Sequence, residues 1–256
     1  MLVLGAGSIG LLCAYTAKRL GAKHVVIADI DPGRVDFAVK NKFADGGFLS
    51  PRGPASASVE SKLALARDTA SKITNTVLKF PFLDHSIGSD ALPPTPPPEQ
   101  VEGGSSAAVG EFDVVFECTG AEACVQTGIY AAKAGGKVML VGMGTPIQTL
   151  PISAAALREV DLCGVFRYAG TYEEGIRCVV DDVEEGRSPV EGRSPIEGRP
   201  NPFTDHMSAV PQLPDLQKLV THRFKGLEGA KMAFEMAGKT MDQEGKLVMK
   251  VVVEMK

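Results

Sequence analysis

The stretch MLVLGAGSIG, residues 1–10, decides the fold of this chain. An apolar run over residues 1–4 leads into Gly5, Gly7 and Gly10, and apolar residues at helical spacing follow. In a strand, loop and helix of this kind, the first glycine permits a sharp turn, the second lets backbone approach a phosphate, and the third allows close helix packing. The start of the helix offers free N–H donors to an anion. The pattern predicts a dinucleotide-binding loop, although a glycine triplet alone also fits a plain turn.

The next apolar run ends in an acid at the spacing that such a loop requires. Residues 25–28 are apolar and Asp29 follows them, about 20 residues beyond the glycines, where this fold places an acid on the adenosine ribose. The alternative is that Asp29 caps a helix, but Asp31 and Pro32 already supply a cap and a first-turn proline. A carboxylate at this position repels a ribose 2′-phosphate, so the sequence predicts NAD rather than NADP.

Composition excludes several classes of function. The chain has 256 residues, 44% of them hydrophobic, with a net charge of −4. Its basic residues are scattered, which argues against binding of nucleic acid or an anionic membrane surface. The five cysteines are an odd number at irregular spacing, which is typical of reduced and buried thiols. There is no long apolar segment and no basic N-terminal region with a cleavage site, so we expect a cytoplasmic protein.

Strand and helix patterns alternate through residues 1–183. After the first strand and loop, the spacing predicts helices over 8–20, 32–43 and 63–77, a strand over 113–117, a helix ending at 135–136, a strand over 137–142, a short helix over 153–159, a strand over 161–166 and a helix over 171–183. Continuously apolar strands are typical of a parallel sheet covered on both faces. The pattern predicts an α/β domain with a doubly wound parallel sheet, the Rossmann arrangement.

Two segments of biased composition interrupt this pattern. Residues 81–111 are rich in Pro, Gly and Ser, which predicts a disordered insertion within the first domain. Residues 184–212 contain a tandem EGRSPV repeat and are interpreted as a low-complexity linker. The last block, 213–256, is predicted to form a strand over 219–224, a helix over 227–237 and a strand over 247–253. Such a short unit needs a partner sheet.

Several motifs together resemble the zinc-dependent medium-chain dehydrogenases, and within them the sorbitol, xylitol and L-arabinitol dehydrogenases. Among these, the chain is most similar to the fungal members. The motifs are GAGSIG, VVIADID, FECTGAE, GGKVMLVGMG, REVDLCGVFRYAGTY, VTHRF and KLVMKVVV. The resemblance covers nearly all of the ordered sequence and leaves out 81–111 and 185–200. It implies NAD as cofactor, a small polyol as substrate, and a C-terminal segment that belongs to a GroES-like catalytic domain.

The resemblance also implies roles for residues at matching positions. The implied cofactor-binding residues are Gly5, Gly7, Ile9, Gly10, Asp29, Arg34, Cys118, Thr119, Val141, Gly142, Met143 and Phe166, with Val141–Met143 placed on a strand. Arg167 and Tyr168 match the positions that face the polyol. Plainer interpretations stay open, because Arg34 could be solvated and Met143 could be core. Cys118 is interpreted as a packed neighbour of the cofactor, since no nearby His or Lys in the sequence would activate its thiol.

Polyol oxidation in this family uses a zinc ion that lowers the pKa of the substrate hydroxyl. The resemblance implies that the zinc ligands, a Cys and a His-Glu pair, lie in a domain that precedes the glycine loop. None of His24, His85, His206 and His222 stands in a ligand cluster, and we expect His222 to make a structural hydrogen bond. The sequence therefore predicts no metal ligand and no catalytic residue in this chain, as in an N-terminally truncated dehydrogenase.

Two other functions remain open at the level of sequence. The chain could be a non-catalytic NAD-binding remnant or sensor. It could also serve an interaction role in which an unpaired C-terminal strand joins another chain. The resemblance suggests a homo-oligomer.

Overall fold

The computed structural model describes residues 1–53, 57–76, 108–176 and 213–255, and the first three ranges form an α/β unit. Its strands are β1 (Leu2–Leu4), β2 (Val26–Asp29), β3 (Gly46–Leu49), β4 (Phe112–Glu117), β5 (Ala132–Leu140) and β6 (Asp161–Gly164). Its helices are α1 (Ser8–Arg19), α2 (Pro32–Lys40), α3 (Val59–Thr74), α4 (Glu122–Ala131) and α5 (Ile152–Ala156).

All six strands form one parallel sheet in the order β3-β2-β1-β4-β5-β6. The chain winds outward from β1 to β3, crosses to β4 and then winds outward the other way. The predicted doubly wound sheet is confirmed. The direction of winding reverses between β1 and β4, and ligands of such sheets bind beyond the carboxyl ends of the strands at this point.

Apolar side chains of β1 and β2 are buried on both faces of the sheet. Leu2 and Leu4 pack with residues of α3 and α4, including Ile73 and Ile129. Val3 points to the opposite face and packs with residues of α1 and α2. Because successive residues of a strand face opposite sides, burial on both faces explains why these strands are apolar throughout.

The strand β3 was not predicted from the sequence. Its pairing with β2 begins at Gly46 and Gly47, and glycine is a poor strand former. The structure explains the glycine, because a Cβ on Gly47 would lie 2.4 Å from Val35 Cγ1 and 3.1 Å from Val39 Cγ2. Helix α2 therefore packs directly against the backbone of β3.

Some predicted element boundaries are wrong. Helix α4 ends at Ala131 and β5 runs from Ala132 to Leu140, so Val141–Met143 lie in the loop beyond the strand and not on it. Strand β5 pairs with β4 at Ala132, opposite Phe112, and the register then shifts before Lys137. Gly135 lies in this irregular stretch with a φ of +70°, which is costly for other residues. Its N–H donates to the carbonyl of Arg158 at 2.8 Å. Residues 172–176 are helical, and the rest of the helix predicted over 171–183 lies outside the described residues.

Most of the predicted insertion over 81–111, and all of the linker over 184–212, lies outside the described residues. The last residues of the insertion, 108–111, are described. Val109 N–H donates to the Thr76 carbonyl at 3.1 Å, and Gly110 N–H donates to the Thr74 carbonyl at 2.9 Å. These residues therefore join the end of α3 to β4.

The C-terminal block, 213–255, forms its own small β-α-β unit. It contains β7 (Val220–Lys225), α6 (Ala230–Ala237) and β8 (Lys250–Glu254), with 3₁₀ turns at Leu216–Leu219 and Leu227–Gly229. Strands β7 and β8 pair in parallel, so each finds a partner within the chain, which the sequence alone did not indicate. Leu219 packs into the apolar cluster that β1 and β2 form with α1 and α2. Ser8 Oγ donates a hydrogen bond to the Met249 carbonyl at 2.9 Å. The block therefore lies beside the glycine loop.

Candidate cofactor site

The glycine loop connects β1 to α1 with very little free space. Gly5 has a φ of +103°, which side chains disfavour. A Cβ on Gly10 would lie 1.9 Å from the Gly5 carbonyl oxygen. Gly7 is the N-cap of α1 and supplies no side-chain hydrogen bond to the helix. The first N–H groups of α1 therefore face the loop without a side-chain cap, as in an anion-binding helix start.

Asp29 lies at the end of β2 and faces the glycine loop. Its Oδ2 accepts a hydrogen bond from Ala6 N–H at 2.7 Å, and its Oδ1 accepts one from Asp31 N–H at 2.9 Å. The cap of α2 is Asp31, whose side chain accepts from Arg34 N–H at 3.2 Å. The alternative interpretation of Asp29 as the helix cap is therefore wrong. Its carboxylate links the end of β2 to the loop.

Arg34 extends from the first turn of α2 toward the same loop. A Cβ on Gly7 would lie 3.9 Å from Arg34 Nη1, so the guanidinium group stands next to the loop backbone. The Nε atom of Arg34 is buried and has no hydrogen-bond partner. A buried donor without an acceptor costs about 1–3 kcal/mol. This arrangement contradicts a fully solvated Arg34 and suits an acceptor supplied by a ligand.

Glu117, which sequence reasoning missed, organises the loop after β4. Its side chain is 1% exposed, and Oε1 accepts from Thr119 N–H at 2.8 Å and from Gly120 N–H at 3.0 Å. The Thr119 hydroxyl donates to the same carboxylate. An acid at the last position of an apolar strand, just before a glycine turn, is the sequence signal that could have identified it.

The loops after β4 and β5 are in direct backbone contact. A Cβ on Gly142 would lie 2.0 Å from Gly120 N, and one on Gly144 would lie 1.7 Å from Gly120 O. Val141 N–H and Gly142 N–H both donate to the Glu117 carbonyl, at 2.9 and 2.8 Å. The structure thus brings Cys118 and Thr119 next to Val141 and Gly142. Met143 is 87% exposed, so the interpretation that places it in the core is wrong.

Cys118 lies against the glycine loop and against a second thiol. Its N–H donates to the Leu4 carbonyl at 2.8 Å, and a Cβ on Gly5 would lie 3.6 Å from Cys118 Cβ. Its Sγ is 3.9 Å from the Sγ of Cys13 on α1. The hydrogen bond that Cys118 donates to Cys13 raises the pKa of Cys118 and lowers the pKa of Cys13. Sequence reasoning considered His and Lys as neighbours and missed this partner.

The remaining predicted residues are exposed. Ile9, in the first turn of α1, is 54% exposed. Phe166, Arg167 and Tyr168 follow β6, which β4 and β5 separate from β1. Phe166 is 76% exposed and its ring lies 5.4 Å from the guanidinium carbon of Arg167. Tyr168 makes an edge contact with Tyr172, with the ring centres 5.2 Å apart.

His222 makes the structural hydrogen bond expected from the sequence, since its Nε2 lies 3.1 Å from Asp242 Oδ2. His85 and His206 fall outside the described residues. Over residues 1–53, 57–76, 108–176 and 213–255, no group of three or more His, Cys, Asp or Glu residues could hold a metal ion. In the same ranges, no helix has the length and apolar character to span a membrane.

Comparison with known proteins gives the family. Residues 97–181 match the family model of zinc-binding dehydrogenases. Sorbitol dehydrogenase from Mus musculus is 31% identical over 239 residues, which are 93% of this chain and 46% of the relative. L-arabinitol 4-dehydrogenase from Penicillium rubens is 30% identical over 237 residues, which are 93% of this chain and 45% of the relative. The chain thus spans about half the length of these curated relatives.

A solved structure shares the fold. The alcohol dehydrogenase of E. coli CFT073 in complex with NADH aligns with a TM-score of 0.56 at 15% identity, covering 98% of this chain and 51% of that one. At this identity the likeness concerns the fold alone. The chain therefore contains a zinc-binding dehydrogenase domain, matched over residues 97–181, and over most of its length it is homologous to sorbitol and L-arabinitol dehydrogenases.

Proposed function

We propose that this chain binds NAD and forms the cofactor half of an oxidoreductase that acts on polyols. The observation that carries the proposal is the pairing of the Asp29 carboxylate with the glycine loop, next to the buried and unpartnered Nε of Arg34. The glycine loop that they contact follows β1, one of the two strands between which the direction of winding reverses. The relatives named sorbitol and L-arabinitol dehydrogenase support the class of substrate.

Asp29 would select the adenosine ribose. An ionised carboxylate offers about four acceptor positions, and two of them are used by Ala6 N–H and Asp31 N–H. The remaining positions can accept from the 2′- and 3′-hydroxyls of the ribose. A 2′-phosphate would place like charges side by side, so NAD is favoured over NADP.

Arg34 and the start of α1 would hold the rest of the adenosine half. Gly7 leaves the helix N–H groups open to a pyrophosphate. The guanidinium group beside Gly7 adds a positive charge, and a negatively charged ligand would give the buried Nε its missing acceptor. Charge-assisted hydrogen bonds of this kind are stronger than neutral ones.

The loops after β4 and β5 would hold the nicotinamide half. When bound, NAD supplies the carbon that accepts a hydride from the alcohol. Cys118, Thr119, Val141 and Gly142 form the wall next to it, and the glycine contacts between the two loops keep that wall rigid. Ile9, Met143 and Phe166 complete the proposed cofactor set, and Arg167 and Tyr168 would face the polyol. The described residues do not fit a zinc ion, so no step is assigned to zinc in this chain.

The test is a calorimetric titration of the purified chain with NAD and NADP. We expect saturable binding of NAD and weaker binding of NADP. Asp29→Ala should weaken NAD binding by about tenfold or more, because hydrogen bonds to a charged group contribute about 1.5–3 kcal/mol. The same substitution should reduce the ratio of the affinity for NAD to the affinity for NADP. Asp36→Ala, an exposed acid on α2, is the matched control. Absence of saturable NAD binding, or an unchanged affinity in Asp29→Ala at an unchanged melting temperature, contradicts the proposal.

Turnover is tested separately with sorbitol, xylitol and L-arabinitol, with and without added zinc, by the absorbance of NADH. Turnover with any of these polyols supports the oxidoreductase role. Binding of NAD without turnover under these conditions rejects catalysis by this chain alone and favours the non-catalytic NAD-binding role.

A further inference from the structure

We propose that Cys13 and Cys118 are an oxidisable pair whose disulfide ties α1 to the loop after β4. The two residues are 105 positions apart in sequence, and their sulfur atoms lie 3.9 Å apart. Both thiols are free and partly exposed. A disulfide requires about 2.0 Å between the sulfurs, so the two side chains have to bring their sulfur atoms closer together for the bond to form.

Cys13, the first thiol of the pair, is accessible to a small oxidant. Cys13 lines a surface groove of about 280 Å³ together with Ile9, Leu12, Thr16 and Phe116. The groove runs along α1 and reaches Phe116 of β4, and both Ile9 and Leu12 are exposed there. A molecule the size of hydrogen peroxide can therefore reach the Cys13 sulfur from solvent.

The hydrogen bond between the thiols gives them different roles. Cys118 donates to Cys13 and thereby lowers the pKa of Cys13. The same hydrogen bond, burial and the nearby charge of Glu117 raise the pKa of Cys118. Since the thiolate is the nucleophile, Cys13 is the attacking thiol and Cys118 is the resolving thiol.

The reaction balances with a peroxide as oxidant. The Cys13 thiolate attacks one oxygen of hydrogen peroxide, the O–O bond breaks, and the products are a sulfenic acid on Cys13 and hydroxide. The Cys118 sulfur then attacks the sulfenic sulfur, its S–O bond breaks, and the departing oxygen leaves as water with the Cys118 proton. The hydroxide takes up the proton that Cys13 released when it ionised, so two thiols are oxidised to one disulfide and one peroxide is reduced to two molecules of water.

The disulfide would change the nicotinamide wall. Cys118 stands between Glu117 and Thr119, whose hydrogen bonds set the shape of the loop. Movement of Cys118 toward α1 would strain this loop, so the oxidised chain should bind NAD more weakly than the reduced chain. This last consequence rests on the proposed function, whereas formation of the disulfide does not.

The test is peroxide treatment of the purified chain, followed by thiol titration and peptide mapping. Free thiols should fall from the five of the sequence to three, without a covalent dimer, and return on reduction. Digestion with trypsin and a Glu-specific protease cuts after Glu117 and Glu122, which separates Cys118 from Cys124 and identifies the cross-link. Cys13→Ser and Cys118→Ser should each prevent the cross-link, and Cys124→Ser, the matched control, should keep it.

A cross-link between other cysteines, or a Cys13 sulfenic acid that persists without pairing, overturns the inference. Mapping of the unaltered chain alone decides this, whether or not a variant folds. A mapped cross-link together with no NAD binding by the reduced chain would leave the disulfide in place and reject the proposed function.

Discussion

Glu117 shows how a single buried acid can organise a loop. Its carboxylate is almost fully buried and satisfies the N–H groups of Thr119 and Gly120. The acid thus supplies acceptors to a turn whose backbone has to remain close to the next loop. Without it, buried donors would be left unpaired at the proposed nicotinamide wall.

We expect Glu117→Gln to lower the free energy of unfolding by about 3 kcal/mol, because an amide replaces the charged acceptor and points an N–H₂ group at N–H donors. Urea denaturation measures this change. Glu235→Gln, at an exposed position of α6, should change the free energy by less than about 0.5 kcal/mol. Equal effects of the two substitutions would contradict the role of Glu117.

At the level of single residues, the sequence predicts those contacts whose residues stand at a fixed spacing along the chain. Asp29 was identified because its distance from the glycine loop is part of a local motif. The Cys13 and Cys118 contact could not be predicted, since it joins two segments that meet only when β4 pairs with β1. The roles of the glycine loop, of Asp29 and of Arg34 toward NAD stay predictions until NAD is titrated.

Among the secondary-structure elements, the turn before β8 depends on one carboxylate. Asp242 accepts hydrogen bonds from Lys246 N–H at 2.7 Å and Glu244 N–H at 2.9 Å, and it lies beside His222 of β7. The hydrogen bond from Lys246 N–H and that from His222 hold the pKa of Asp242 below its ordinary value. A carboxyl pKa that is lowered by folding stabilises the native state above the unfolded pKa, and the stabilisation is lost as pH falls through the native pKa.

Asp242→Asn should therefore destabilise the chain most near neutral pH. The difference in unfolding free energy from the unaltered chain should shrink as pH falls below about 4, the ordinary carboxyl range. Denaturant titrations at several pH values measure it. Asp36→Asn, on the exposed side of α2, is the control and should have little effect at neutral pH. A difference that grows as pH falls would contradict this prediction.

The elements that were predicted and the one that was missed differ in packing. Strands β1, β2 and β4 are apolar on both faces, so their sequence pattern is strong. Strand β3 begins with two glycines because α2 approaches its backbone too closely for a Cβ at Gly47. A tertiary contact therefore requires glycine in this strand, and glycine hides the apolar pattern by which strands are predicted.

In the whole molecule, the C-terminal block is attached to the α/β unit at α1. Leu219 and Met249 pack against the apolar cluster of β1, β2, α1 and α2. The Ser8 hydroxyl donates a hydrogen bond to the Met249 carbonyl. The packing of the block onto this domain could not be predicted, because the residues that join it are far apart in sequence.

Ser8→Ala should lower the free energy of unfolding by about 1 kcal/mol, the typical net contribution of one hydrogen bond. It should also speed amide hydrogen exchange within 213–255, because the block loses an anchor. Exchange followed by mass spectrometry measures this, with Ser153→Ala, an exposed serine of α5, as the control. Faster exchange that is confined to β5 and β6 would contradict the anchoring role.

The contact between Ser8 and Met249 joins residues 241 positions apart. During synthesis, the glycine loop and Asp29 leave the ribosome well before Met249 does. The hydrogen bond between Ser8 and Met249 therefore cannot form until a further 241 residues have been translated. The attachment of the C-terminal block to α1 is thus a late step in folding, although the glycine loop itself is synthesised early.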